Sequence, residues 1–113
     1  MNPRIDKVNN LIKKELGNIL LKEVDIFPGT LMTLTRAECT PNLFECNVFI
    51  SVIPENSIDD IMNLLNRNIY NIQQIMNKKI KMRPVPKIVF LKETKTIEAQ
   101  KIEKLLLSIE KKD

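Results

Sequence analysis

A helical pattern that runs into two prolines and a short apolar segment constrains the fold of this chain more than any other stretch. Apolar residues recur every three or four positions, which is the spacing that lines one face of an α-helix, at Ile61, Leu65, Ile69, Ile72, Met76 and Ile80. Pro84 and Pro86 should end this helix, because proline lacks an N–H donor and restricts the residue before it. The apolar run at 88–91 then predicts a short buried strand.

The middle of this long helix is its weakest part. Residues 67–71 read Arg-Asn-Ile-Tyr-Asn, and three of these residues have only modest helix propensity. We therefore expect a kink, or two shorter helices, within this stretch.

Two strands and two more helices complete the pattern. Proline in the first turn favours a helix over Pro3–Glu23, and we expect Gly17 inside it to permit close packing. Alternating residues around a turn at 40–44 predict strands at Leu31–Cys39 and Glu45–Ile53. A terminal helix is predicted within 98–113, and the sequence leaves open whether it packs on the domain or stays mobile.

The two strands predict which side chains share a face. In the first strand, alternation places Arg36 and Glu38 on the face of Met32 and Leu34. In the second strand, one face carries Cys46, Val48, Ile50 and Val52. Phe49 lies on the opposite face, where it is a candidate platform for a stacked base, although a strand aromatic is more often packed under other side chains.

The order of these elements is α-β-β-α-α-β-α, with a kink between the two central helices. The 113 residues suffice for one domain and are too few for two. A hairpin and a third strand cannot bury both faces of a sheet, so the helices should pack on one face. We predict a single α+β domain spanning residues 1–113.

Positive charge is concentrated in the segment 61–92. It holds seven of the 18 Lys and Arg residues and none of the 14 Asp and Glu residues, so the net charge of +4 arises within it. Such a local field suits a polyanionic partner such as RNA, although charge runs are often only a solvated face. Arg4, Lys7 and Lys14 lie off the apolar stripe of the first helix and could join this surface.

Several functional classes are disfavoured. The chain has no histidine, which removes the usual general base and the commonest metal ligand, so we expect no catalysis, cofactor, metal or small-molecule substrate. Cys39 and Cys46 are too few for a disulfide framework or a cysteine-rich zinc site, but could face each other across the hairpin. No apolar run is long enough to span a membrane, and no signal-like segment opens the chain, so we expect a cytoplasmic protein.

Three blocks resemble ribosome-binding factor A, a family of bacterial small-subunit assembly factors with a KH-like (type II) fold. They are RIDKVNNLIKKEL at 4–16, TLTRAECTPNL at 33–43 with VFISV at 48–52, and KMRPVPKIVF at 81–90, followed by Ile102, Leu105 and Leu106. The last block is similar to the family's Leu-Arg-x-x-Pro-x-Leu-x-Phe. No block is specific alone, but their joint spacing covers nearly the whole chain.

The chain departs from the family pattern at three places. The only glycines are Gly17 and Gly29, so the Gly-x-x-Gly phosphate loop of most KH domains is absent. The family's interhelical Ala-x-Gly kink aligns with Asn68, Ile69 and Tyr70, and Gln73 stands where an arginine is usual. Asn42 occupies a turn position that is usually aspartate.

The resemblance implies a non-catalytic, monomeric factor that binds free 30S subunits and assists late maturation of 16S rRNA. The residues that we expect to contact RNA are Arg4, Lys7, Lys14, Arg67, Lys78, Lys79, Lys81, Arg83 and Lys87. Arg83 is the foremost of these, because a guanidinium can bridge phosphates or stack on a base; the alternative is a buried salt bridge. Other open alternatives are a general RNA-binding module and a protein–protein adaptor that docks partners on the apolar long helix.

Overall fold

The computed structural model describes residues 3–93, which form three helices and three strands in an α+β arrangement. In chain order the elements are α1 (Pro3–Glu23), β1 (Leu31–Cys39), β2 (Glu45–Ile53), α2 (Ile58–Arg67), α3 (Ile69–Lys79) and β3 (Lys87–Lys92), with a short 3₁₀ turn at Glu55–Ser57. The predicted strands and first helix are confirmed, as is the division of the long helix. The predicted terminal helix within 98–113 lies outside the described residues.

The three strands form one mixed sheet in the order β1-β2-β3. The hairpin strands β1 and β2 are antiparallel, whereas β2 and β3 are parallel. A parallel pair needs a crossover connection, and here α2 and α3 supply it. This crossover returns the chain to the end of the sheet where β2 begins.

The core lies between the helices and one face of the sheet. On β2, the predicted face of Cys46, Val48, Ile50 and Val52 is buried throughout. The opposing helical side chains are also buried, at Ile12, Leu16, Ile19 and Leu20 of α1, Ile61 and Leu65 of α2, and Ile72 and Met76 of α3. The prediction that the helices cover one face of a small sheet is therefore confirmed.

A β-bulge makes the predicted face of Arg36 and Glu38 wrong. Leu34 pairs with Ile50, but the next pair joins Arg36 to Phe49, so Thr35 is an extra residue in β1. An extra residue moves every following side chain to the opposite face. Arg36 consequently lies on the open face of the sheet, while Ala37 and Cys39 enter the core.

Two smaller expectations are also corrected. The helix α3 ends at Lys79, before Pro84, because Ile80 adopts an extended conformation and buries its side chain in the core. The expected role of Gly17 in close packing is wrong, since a Cβ added there would meet no heavy atom within 4 Å.

Candidate nucleic-acid interface

The loop between α3 and β3 is held against the turn of the β1–β2 hairpin. The Lys87 N–H donates to the Phe44 carbonyl at 2.8 Å, and Lys87 stands opposite Glu45 in the parallel register. The hairpin turn is itself fixed by Asn42, whose Oδ1 accepts from the Phe44 N–H at 3.0 Å. The amide oxygen of Asn42 thus accepts the hydrogen bond that an aspartate carboxylate could accept at this position, so the turn does not require the usual aspartate.

The start of α1 lies at this same end of the molecule. Asn9 Oδ1 accepts from the N–H of Cys39, the last residue of β1, at 2.7 Å. At the other end of α1, Glu23 accepts from Asn71 Nδ2 in the first turn of α3 at 3.3 Å. The helices α1 and α3 therefore run antiparallel, and since α3 is about half as long as α1, its last turn lies about level with the middle of α1.

This geometry places five of the predicted cations on one surface, which we call the basic end: Lys78, Lys79, Lys81, Arg83 and Lys87. All five are exposed, and none of them forms an ion pair within residues 3–93. Glu45, also exposed, is the acidic residue nearest to Lys87 by strand register. Because no carboxylate in the described part of the chain neutralises these exposed cations, they form a positively charged surface there.

The remaining predicted cations are exposed but do not all join the basic end. Lys14 is about level with the last turn of α3, whereas Lys7 and Arg4 lie about two to three turns further toward the start of α1. Arg67 lies at the end of α2, separated from Lys78 by the length of α3, which is about 16 Å at 1.5 Å per residue. The sequence cluster 61–92 is thus divided between two ends of the domain.

Arg83 is exposed rather than buried in a salt bridge. Its Nη1 donates to the carbonyls of Ile80 at 3.0 Å and Met82 at 2.8 Å. A guanidinium carries five N–H donors, so the Nε and Nη2 edge remains outside these two bonds. The loop carbonyls therefore fix the guanidinium while leaving one edge for an anion.

Gln73 connects α3 to the start of β3. Its Oε1 accepts from the Ile88 N–H at 2.8 Å, and its Nε2 donates to the Pro86 carbonyl at 3.1 Å. Both ends of the amide are thus engaged by backbone that the crossover brings alongside. Gln73 supports the basic end from behind, a role that no local sequence pattern indicates.

The kink between α2 and α3 survives without the Ala-x-Gly sequence. Asn68 has φ −100° and ψ 3°, so the kink does not require the left-handed backbone that asparagine tolerates better than most residues. Its side-chain Nδ2 donates to the Leu64 carbonyl at 2.8 Å, and its own carbonyl accepts from the Ile72 N–H at 3.0 Å. One residue therefore caps the end of α2 and begins α3.

Two aromatic side chains near the predicted cations are exposed, and a third is covered. Phe44, in the hairpin turn beside Lys87, is 63% exposed, and Tyr70, just after the kink, is 76% exposed. Phe49 carries the Arg36 guanidinium 3.8 Å above its ring centre, so its ring face is already occupied and the base-stacking interpretation is not supported. Sequence reasoning overlooked Phe44, although an aromatic residue in a polar turn was a visible signal.

Arg36 itself belongs to a structural cluster on the open face of the sheet. Its Nε and Nη2 donate to both carboxylate oxygens of Glu93, at 2.8 and 3.2 Å. The hydrogen bond to Glu93 raises the pKa of the guanidinium, as expected for a bidentate charged pair. The partners are far apart in sequence, which explains why this pair was not predicted.

Two kinds of site are not found in the part of the chain from 3 to 93. No cluster of three or more histidine, cysteine or acidic side chains could hold a metal ion there. Within the same range, no helix has the length and apolar character to cross a bilayer.

Sequence comparison links the chain to one family. A family model described as ribosome-binding factor A matches residues 4–106. A ribosome-binding factor A from Chlorobium phaeovibrioides is 34% identical over 116 residues, covering 98% of this chain and 95% of the relative. Another from Akkermansia muciniphila is 30% identical over 90 residues, covering 80% and 71% of the two chains.

Structural comparison gives the same fold. The crystal structure of ribosome-binding factor A from Thermus thermophilus matches with a TM-score of 0.65 at 17% identity, covering 78% of this chain and 94% of that one. The solution structure of a putative ribosome-binding factor A from Thermotoga maritima matches with a TM-score of 0.65 at 24% identity, covering 80% and 90%. At these identities the matches establish the shared architecture.

Proposed function

Because the chain belongs to the ribosome-binding factor A family, we propose that it binds the free 30S ribosomal subunit and assists late maturation of its 16S rRNA. It acts in the cytoplasm as a monomer, without catalysis and without a cofactor. The observation that carries this proposal is the basic end, where five exposed cations that form no ion pair within residues 3–93 lie in or beside a loop fixed by hydrogen bonds.

The proposed contact is electrostatic. Lys and Arg side chains that neutralise RNA phosphates release condensed counterions, so affinity falls as salt rises. Six contacts, from the five cations of the basic end and one on α1, would give a log–log salt slope of about 4, at ~0.7 per phosphate of a single strand. Arg67 lies too far from the basic end for the same short phosphate run and would contact a separate one.

Arg83 and Phe44 give this surface more than charge. The guanidinium is held by two backbone carbonyls and presents its other edge to a phosphate, which lowers the ordering cost of binding. The exposed ring of Phe44 is positioned by its own backbone bonds to Lys87 and Asn42, and can stack on an unpaired base. We therefore propose single-stranded rRNA, rather than a regular duplex, as the element bound at the basic end.

The two alternatives, a protein–protein adaptor and a general RNA-binding module, have less support than a 30S assembly factor. An adaptor that docks partners on the apolar face of α2 and α3 needs that face to be accessible, but Ile61, Leu65, Ile72 and Met76 are all buried. A general RNA-binding module would use the same cations without preference for the subunit. Subunit selectivity therefore separates it from an assembly factor.

Co-sedimentation tests the proposal. The purified protein is centrifuged with isolated 30S subunits and with 70S ribosomes at low and moderate salt. Binding to 30S but not 70S, fading with salt at the expected slope, is the predicted result. Equal binding to both particles would indicate a general RNA binder, and no binding at either salt concentration would overturn the proposal.

The Arg83→Ala variant tests whether this residue contributes to the proposed RNA contact. We expect several-fold weaker 30S binding and a salt slope smaller by about 0.7, with the free energy of unfolding changed by less than about 1 kcal/mol. Lys22→Ala is the matched control, because Lys22 is exposed at the far end of α1. Unchanged binding of Arg83→Ala, or loss of folding, would remove Arg83 from the proposed interface.

A further inference from the structure

Two thiols face each other where the hairpin strands approach their turn. Cys39 on β1 pairs with Cys46 on β2, and their Sγ atoms are 2.6 Å apart. Both residues are free cysteines; Cys46 is 0% exposed and Cys39, on the edge strand, is 8% exposed. RNA binding at the basic end uses neither thiol.

The strand register makes this pair suitable for a covalent bond. The next residues toward the turn are bonded to each other, with the Thr40 N–H donating to the Glu45 carbonyl at 2.9 Å, whereas the Cys39 N–H points outward to Asn9. Hydrogen-bonded and non-hydrogen-bonded pairs alternate along an antiparallel ladder, so Cys39 and Cys46 form a non-hydrogen-bonded pair with Cα atoms about 4.5 Å apart. That separation lies within the range of disulfides, about 4.4 to 6.8 Å. Oxidation therefore requires no rearrangement of the backbone.

We propose that Cys39 and Cys46 are a modification site, a dithiol that a small-molecule disulfide such as oxidised glutathione converts reversibly into an intramolecular disulfide. The thiolate of Cys39 attacks one sulfur of the oxidant, forming a mixed disulfide and releasing one glutathione. The thiolate of Cys46 then attacks the Cys39 sulfur and releases the second glutathione. Two electrons pass from the cysteines to the oxidant, and the two thiol protons end on the released glutathiones.

Cys39 is the residue that reacts first. It lies on the edge strand and is the more exposed of the two. Contact with the Cys46 thiol lowers the pKa of Cys39, whereas contact with Cys39, together with burial, raises the pKa of Cys46. Since the thiolate is the attacking species, accessibility and ionisation both favour Cys39.

The disulfide would close a short loop that carries part of the basic end. The loop runs from 39 to 46 and includes Phe44 and Glu45, which contact the start of β3. Cross-linking a loop of this size restricts mainly the unfolded chain. We expect the melting temperature of the oxidised protein to rise by about 5 to 10 °C relative to the reduced protein.

The experiment compares the folded and unfolded chain in the same redox buffers. The intact protein is equilibrated with oxidised and reduced glutathione, with and without denaturing urea, then acid-quenched, alkylated and weighed by mass spectrometry. In the folded protein we expect the loss of two hydrogens, no alkylation of either cysteine, and full reversal by dithiothreitol. The equilibrium should favour the disulfide about tenfold or more over that in urea, because the native register holds the thiols together.

Single variants identify the two steps. In Cys46→Ala, Cys39 should accumulate a stable glutathione adduct, whereas in Cys39→Ala the buried Cys46 should react slowly or not at all. The proposal is overturned if the folded wild-type protein retains two alkylatable thiols, ends as a glutathione adduct, forms only intermolecular dimers, or oxidises no more readily than the unfolded chain. The decisive measurement is the mass of the oxidised wild-type protein, so a folding defect in either variant does not change the conclusion.

Discussion

Replacing Gln73 by alanine should destabilise the domain, because this side chain joins α3 to β3. The substitution removes the acceptor of the Ile88 N–H and the donor to the Pro86 carbonyl. Ile88 is buried, as is the side chain of Pro86, so water replaces these bonds poorly. A hydrogen bond contributes about 1 kcal/mol net, and a buried group left unpaired costs about 1 to 3 kcal/mol. We therefore expect a loss of about 2 to 3 kcal/mol.

Urea unfolding measures this loss against a matched control. Gln74 is the same residue type in the same helix and is exposed, so Gln74→Ala should be neutral or slightly stabilising, since alanine has the higher helix propensity. For a domain of this size, Gln73→Ala should lower the urea midpoint by about 1 to 2 M, with an unchanged slope.

Hydrogen exchange provides a local readout. The Ile88 amide should exchange faster in Gln73→Ala and at the wild-type rate in Gln74→Ala, because only the first variant frees this N–H. If the two variants have urea midpoints within about 0.3 M of each other, the bonds made by Gln73 do not hold β3 in place and the reasoning fails.

Three further predictions test the helices and the charge of the basic end. Gly17→Ala should raise the free energy of unfolding by about 0.5 to 1 kcal/mol, because the added methyl group meets open space. A melting temperature below that of the wild-type protein would contradict this. Asn68→Ala should cost about 1 kcal/mol through loss of the bond to the Leu64 carbonyl, while the exposed Asn66→Ala should cost less than half as much in the same urea titration. Glu45→Gln should strengthen 30S binding about two- to fivefold at low salt and less at high salt, because Glu45 lies opposite Lys87; the control Glu55→Gln, in the 3₁₀ turn after β2, should leave the affinity unchanged.

Local patterns were sufficient to predict the elements of this fold. The periodic apolar residues of α1 and the alternation in β2 record which side of a helix or strand is buried, and the structure buries those residues. The weak helix propensity around Asn68 also predicted the break between α2 and α3. Each of these signals depends on residues within a few positions of one another, and can therefore be recognised in a single sequence.

The candidate site was only partly predictable for the same reason. Exposed charge is a local property, so the basic residues of 78–87 were identified correctly as surface cations. The hydrogen bonds of Gln73 that hold this loop could not be predicted, because the backbone of Pro86 and Ile88 reaches Gln73 only through the crossover. The separation of Arg67 from Lys78 likewise required knowledge of the direction of α3.

The sequence by itself determined where this chain forms helices and strands, which of their faces are apolar, and that its excess positive charge lies between α2 and β3. The tertiary structure alone decided that an extra residue at Thr35 moves Arg36 to the open face and that Phe44 holds the start of β3 against the hairpin turn. It also decided that the Cys39–Cys46 pair, which the sequence had indicated, is a non-hydrogen-bonded one. The physical reason is that periodicity follows from hydrogen bonds between near neighbours along the chain. Register, crossover and side-chain partnership depend instead on residues that only the folded backbone brings together.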